Sequence, residues 1–352
     1  MPDDTNLVCV KVGQRQVTMA DSPVPVPGDG EIVVRTTLAT LCGSDVHILD
    51  ESPLNPATVP PGLAGQPMGH EAVGVVHAIG RGVRQLQPGQ RVITSCFTAC
   101  GGCIQCLEGQ LSACTGGGGL LFGCQGRYYR VGFADISAAP IPDDLTDEQV
   151  LFATDIMSTG LAAVERGEVG FGDTVAIFGQ GPVGLCATAG ARARGAGLII
   201  AVEGVPERID MARQMGANVV VDPADDPVGV ILRLTSGGGV DVAIEAVGIQ
   251  ATLDMATRVL RKGGTLSSVG IYGGLPGVTL PAGVPSFYHR KVVSTLCPVG
   301  HIRLKRLMML VQHGGFDLGP LFTHRMPLHE APSAYDLFRS RSGGVMKIAL
   351  VP

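Results

Sequence analysis

The sequence predicts an α/β fold, a doubly wound parallel sheet joined to a second, mostly β domain. Three observations predict it. Across residues 1–150, short alternating or β-rich runs sit between Gly/Pro clusters such as PVPVPGDG and QPGQ. From about Asp147 the period changes, and strands alternate with helices of 10–13 residues. The 352 residues are also enough for two domains, at roughly 100–200 residues each.

The β-rich part reads as strands at 7–12, 31–38, 72–79, 91–95 and 126–130, a spacing that suits a small barrel or sandwich. Residues 51–66 (ESPLNPATVPPGLAGQ) read as a long Pro-rich loop, and loops of that length are usually functional or mobile. A single helix is expected over 147–166. It leads into strand 174–178, helix 182–194, strand 198–203, helix 206–215 and strand 218–221. Helix 227–235, strand 240–245, helix 251–261 and strand 265–269 continue the alternation. A last strand at 292–296 precedes helices at 303–313 and 330–340 and a terminal strand at 346–351.

Composition narrows the function. Apolar residues make up 45%, which excludes intrinsic disorder. No run approaches the ~20 apolar residues of a membrane helix, and MPDDTNLVCV lacks the pattern of a signal peptide. The net charge is −5 and no basic run is present, so neither nucleic acid nor an anionic membrane is an expected partner. Ten cysteines without a secretory signal point to a reducing, cytoplasmic compartment, where metal ligation or catalysis outranks disulfides.

Strand 174–178 runs into Gly179-Gln180-Gly181-Pro182-Val183-Gly184, which opens a helix. A GxGxxG alone is weak, but the strand before it and the helix after it supply the context of a dinucleotide fingerprint. The first glycine allows the turn, the second lets backbone approach a pyrophosphate, and the third lets helix and strand pack. Glu203 closes the second strand 19 residues after Gly184. A carboxylate there accepts from a ribose 2′-hydroxyl and repels a 2′-phosphate, which favours NAD over NADP; nearby Arg208 pulls weakly the other way.

Cys100-x2-Cys103-x2-Cys106-x7-Cys114 lets one looping backbone aim four thiolates at a common centre, the arrangement of a structural zinc. An iron–sulfur run has similar spacing but a different last interval and a proline after its fourth cysteine, where this chain has Thr115. Two disulfides or free thiols are the remaining alternatives.

Cys42-Gly43-Ser44-Asp45-Val46-His47 and Gly69-His70-Glu71 place polar residues inside apolar β segments. Asp155 similarly interrupts an apolar helix face. Singly, each reads most simply as packing. Together, one thiolate, one imidazole and one carboxylate make a three-ligand zinc set with an open fourth position.

With TDIMSTG, GQGPVG and KGGTL in the same order and spacing, these pieces resemble the zinc-containing medium-chain alcohol dehydrogenases from end to end. TLCPVG (295–300) and LFTH (321–324) are similar to the bacterial tetrameric secondary-alcohol dehydrogenases, a subgroup that typically lacks the four-cysteine lobe and prefers NADP. The resemblance implies a GroES-like catalytic domain over 1–156 and 301–352, with the zinc lobe at 96–116, and an NAD-binding Rossmann domain over 157–300. It implies two zinc ions per chain and a homotetramer, with a dimer as the alternative. Cys42, His70 and Asp155 would hold the catalytic zinc, with Glu71 an adjacent carboxylate able to approach it transiently or as a fourth ligand. Asp45 would accept the free N–H of His70, Ser44 would bond the alcohol, and His47 would carry its proton onward. Thr159, Pro182, Val183, Val247, Gly270 and Ile271 would contact the cofactor.

The same resemblance implies a substrate pocket of Cys96, Phe97, Leu121, Phe122 and Cys297. Small residues at Cys96 and Cys297 leave room for two substituents on the carbinol carbon, hence a secondary or aryl alcohol or its ketone. Polyol, threonine and formaldehyde dehydrogenases of the same family are the alternatives, and a catalytically silent nucleotide-binding sensor is a further one.

Overall fold

The computed structural model describes residues 5–51, 59, 63–272, 277–281, 287–340 and 343–352. Most of the Pro-rich loop expected at 51–66 lies outside the described residues. The chain divides into two compact units, Met1–Asp155 with Pro298–Pro352, and Ile156–Cys297.

In the second unit, the strand–helix alternation builds a six-stranded sheet. From one edge its strands are Val219–Val221, Leu198–Val202, Thr174–Phe178, Val240–Glu245, Leu260–Ser268 and Lys291–Ser294, all parallel. In chain order this is 3-2-1-4-5-6, so the winding reverses beside Thr174–Phe178. Side chains alternate between its faces. Val175 and Ile177 pack with Ala163, Val164, Ala187 and Ala191, whereas Ala176 and Phe178 pack with Val228, Ile231, Leu253 and Ala256. Both faces are covered, which explains why these strands read as continuous apolar runs.

The first unit is mostly β. Thr5–Gly13 pairs with Gln16–Pro23 and Gln66–Pro67 in a three-stranded sheet. A seven-stranded sheet runs through Phe322–Pro327, Lys347–Val351, Ile32–Thr40, Ala72–Ile79, Arg91–Thr94 and Ala138–Pro140, with Tyr128–Val131 paired to Ile32–Thr40. The C-terminal strand Lys347–Val351 therefore sits deep in a sheet begun more than 300 residues earlier.

Two local departures from the sequence reading shape the candidate site. Cys42 is followed by a helix, Gly43–Glu51, where only a polar interruption was evident. The single helix expected over 147–166 is also two. Thr146 and Gln149 form a capping box that starts Asp147–Leu151, a 3-10 turn follows at Phe152–Thr154, and Ile156–Arg166 resumes the helix. Between them Asp155 leaves helical geometry at φ −145°, ψ −75°. The tightened turn redirects the chain there and frees the carboxylate from the helix surface.

Candidate active site

Three donors from distant parts of the first unit converge. Cys42 lies just before a helix, His70 just before the strand Ala72–Ile79, and Asp155 at the helix break. One ligand atom from each lies within 4.8 Å of the others. Cys42 Sγ is 3.7 Å and His70 Nε2 is 3.4 Å from Asp155 Oδ2. A tetrahedral ion bonded at about 2.0–2.3 Å sets such donors roughly 3.3–3.8 Å apart, so a zinc fits this set.

Asp45 connects two of these donors. Its Oδ2 accepts from the backbone N–H of Cys42 at 2.9 Å, and its Oδ1 lies 2.9 Å from His70 Nδ1. The second contact is close but off-line, without full hydrogen-bond geometry. Burial is the largest influence on His70 and opposes its charged form, yet Asp45, Asp155 and Cys42 together hold its pKa well above the usual imidazole range. Ser44 Oγ is 3.3 Å from His70 Nε2. His47 lies three residues further along the same helix, on the same face.

Glu71 is buried beside His70, and Lys347 Nζ donates to its Oε2 and, at 3.0 Å, to the carbonyl of Leu41. Oε1 of Glu71 is buried with no hydrogen-bond partner among the described residues. Burial pushes the Glu71 carboxyl up, against the pull of Lys347.

The four cysteines of the lobe also converge, with Sγ separations of 3.4 Å (Cys103–Cys106), 3.9 Å (Cys103–Cys114) and 4.0 Å (Cys100–Cys106). None of the ten cysteines is in a disulfide. Backbone amides aim at the sulfurs: Gly102 and Cys103 donate to Cys100, and Cys100 and Gly116 donate to Cys114. Amides of Cys106 and Thr115 pull the Cys103 thiol down to about 5. A Cβ on Gly118 would come 2.2 Å from the carbonyl oxygen of Thr98 and 2.9 Å from Cys114 Sγ. Backbone cannot swing aside, so Gly118→Ala is expected to release the lobe metal at least ~10-fold faster to a chelator. An unchanged release rate counts against the close approach.

The second unit carries the glycine-rich turn. Gly179 has φ +85°, and a Cβ on Gly184 would lie 1.9 Å from its carbonyl oxygen. Gly181 faces open space and caps the helix Pro182–Ala193, which begins with Pro182 and Val183. The amides of this helix end suit a phosphate. Glu203 follows the strand Leu198–Val202; its Oε2 accepts from Gln180 N–H, and its Oε1 accepts from Gly204 and Val205. Arg208 approaches Oε2 at 3.8 Å. Thr159 is buried in the helix Ile156–Arg166.

Val247, Gly270 and Ile271 cluster around a residue that the sequence reading left as a strand end, Glu245. This buried carboxylate accepts from the amides of Val247 and Gly248 and from the hydroxyls of Thr252, Ser268 and Tyr272. An acidic residue closing the strand just before Ala-Val-Gly was the available signal.

Of the expected pocket residues, Cys96 and Leu121 are buried in the first unit and joined through the Leu121 N–H and the Cys96 carbonyl at 2.8 Å. Leu121 belongs to the hydrophobic core. Phe97 bridges to Leu120, Phe122 is half-buried, and Cys297 is buried at the end of the second unit.

Comparison with known proteins bears on the family and the fold. The alcohol dehydrogenase GroES-like domain matches residues 28–143 and the zinc-binding dehydrogenase domain residues 182–312. An alcohol dehydrogenase of Cupriavidus necator is 41% identical, covering 96% of each chain. The NADP-dependent isopropanol dehydrogenase of Thermoanaerobacter brockii is 34% identical over 85% of this chain and 86% of its own. Among solved structures, the alcohol dehydrogenase TADH from Thermus sp. ATN1 superposes with a TM-score of 0.88 at 32% identity, covering 98% and 99% of the two chains. With a GroES-like domain, a Rossmann domain and donor sets that fit zinc, the chain belongs to the zinc-binding alcohol dehydrogenase family.

Proposed function

We propose that this alcohol dehydrogenase transfers hydride between NAD(H) and a secondary or aryl alcohol or its ketone, with one catalytic and one structural zinc per chain. The observation that carries the reading is the convergence of Cys42, His70 and Asp155 within 4.8 Å. A zinc held by these three residues would supply Lewis acidity toward an alcohol oxygen, and a nicotinamide cofactor would supply the hydride chemistry.

The chain's own groups do the rest. Cys42, His70 and Asp155 hold the metal, and Asp45 orients His70. Ser44 accepts the hydroxyl proton and His47 passes it to solvent, for which an imidazole is suited. Helix-end amides at Gly181–Gly184 bind the pyrophosphate, and Thr159, Val247, Gly270 and Ile271 flank the remainder of the cofactor. Small side chains at Cys96 and Cys297 support a branched substrate. A homotetramer in a reducing, cytoplasmic compartment goes with this reading; the ten cysteines, none of them in a disulfide, support the compartment.

Glu203 supports NAD by charge, although the Thermoanaerobacter relative is named as NADP-dependent. The test is a screen of primary, secondary, aryl and polyol alcohols with each cofactor, on wild type and Glu203→Ala. Secondary or aryl alcohols with NAD should give the highest kcat/KM. The variant should lose at least ~10-fold in kcat/KM with NAD, about 1.4 kcal/mol, and less with NADP. Equal losses with both cofactors would remove Glu203 from the argument, and a preference for primary alcohols or polyols would overturn the substrate class.

A further inference from the structure

Behind the Cys42–His70–Asp155 set lies a buried polar line whose outer members, Gln125 and Tyr335, have no part in the roles above. Gln125 is fully buried in the first unit. A buried amide is costly unless its groups are bonded. Its Nε2 donates to Asp45 Oδ2 at 3.0 Å and to the carbonyl of Thr40 at 3.4 Å, and its Oε1 accepts from the Tyr335 hydroxyl at 2.9 Å. Tyr335 is itself buried, on the C-terminal helix Ala331–Ser340. The line Tyr335–Gln125–Asp45–His70 thus joins four separate segments of the chain.

Its polarity has one solution. Oδ2 of Asp45 already accepts from the Cys42 amide and the Thr40 carbonyl can only accept, so the amide turns its NH2 toward them. Its oxygen then faces Tyr335, which must donate. With Oδ2 of Asp45 occupied by Gln125 and by the Cys42 amide, Oδ1 is left to receive the Nδ1 proton of His70. In the neutral imidazole, that assignment puts the free lone pair on Nε2, the atom that faces Asp155. Packing holds the line in place. Gly69 has φ +86°, and a Cβ there would come 2.4 Å from Gln125 Cγ, so the turn carrying His70 rests directly on this side chain.

We propose that Gln125 and Tyr335 are positioning residues for the metal, which fix the tautomer and aim of His70 through Asp45. The proposal rests on the reading of Cys42, His70 and Asp155 as a metal site, and the test separates the two. Zinc release from the purified holoenzyme to a chelator would be followed for wild type, Tyr335→Phe, Gln125→Leu and Gln125→Glu. The absorption bands of the cobalt-exchanged enzyme supply a second readout, one that a purely structural role would not move.

Tyr335→Phe removes one hydroxyl and keeps the ring, so it should fold even where Gln125→Leu does not. Site zinc should leave about 10-fold faster in Tyr335→Phe and up to about 100-fold faster in the Gln125 variants, with shifted cobalt bands and unaltered release from the four-cysteine lobe. Wild-type release rates and unshifted bands in Tyr335→Phe and in the folded Gln125 variants would overturn the proposal. A wild-type enzyme that holds only the zinc also held by Asp155→Ala would instead overturn the metal reading, and the proposal with it.

Discussion

Asp155→Ala is expected to lose the catalytic zinc and to keep both the fold and the lobe zinc. Asp155 sits at a break between helices, and its side chain keeps 15% exposure, so its removal opens no large cavity. On the proposed reading, it removes one of the protein's three ligands to the ion. Without the Lewis acid, several kcal/mol of transition-state stabilisation disappear, and about 4 kcal/mol corresponds to roughly a 10³-fold fall in kcat/KM. Zinc counting should show the metal content per chain dropping while circular dichroism stays as in wild type. Wild-type turnover in a metal-analysed sample would sink the ligand assignment.

The second large effect is on stability. Lys347 and Glu71 form a buried ion pair, with 1% and 0% side-chain exposure. Lys347 also donates to the Leu41 carbonyl and lies 6.0 Å from the centre of the Phe152 ring. Burial by itself would lower the Lys347 pKa, but the Glu71 carboxylate outweighs it and holds the ammonium well above its usual range. Lys347→Met leaves Glu71 buried without its cation, which costs about 3–5 kcal/mol when one partner of such a pair is deleted. Adding Glu71→Gln removes the orphaned charge and should recover most of the loss in urea unfolding. A loss below about 1 kcal/mol in the single variant would mean that water reaches Glu71 and that the pair is not truly desolvated.

Legibility differed between the two units for physical reasons. Strands at 174–178 and 240–245 and the helix at 206–215 match the expected residues because their signals are local. Buried parallel strands are uniformly apolar, and prolines at Pro182, Pro206 and Pro227 mark helix starts. In the first unit, Gln16–Pro23 and Phe322–Pro327 escaped the reading because partly exposed edge strands carry mixed polar sequence. The break at Asp155 escaped because the carboxylate read as one polar interruption of an apolar helix face, and no glycine or proline stands beside it to signal a stop. In the run 116–119, a Cβ on Gly116 would come 2.4 Å from Cys100 Sγ, Gly117 has φ +92°, and Gly118 approaches Thr98 and Cys114; only the folded lobe supplies these reasons.

The sequence by itself determined the two-part α/β architecture, the four-cysteine lobe, the glycine-rich turn and the candidate donors at Cys42, His70 and Asp155, since each depends on residue type and short spacing. Only the tertiary structure decided that those donors converge, that Lys347 partners Glu71, and that Gln125 and Tyr335 stand behind Asp45. These pairings join residues up to 276 positions apart. No local pattern encodes them; they exist because sheet register carries the C-terminal strand and helix back against the start of the chain.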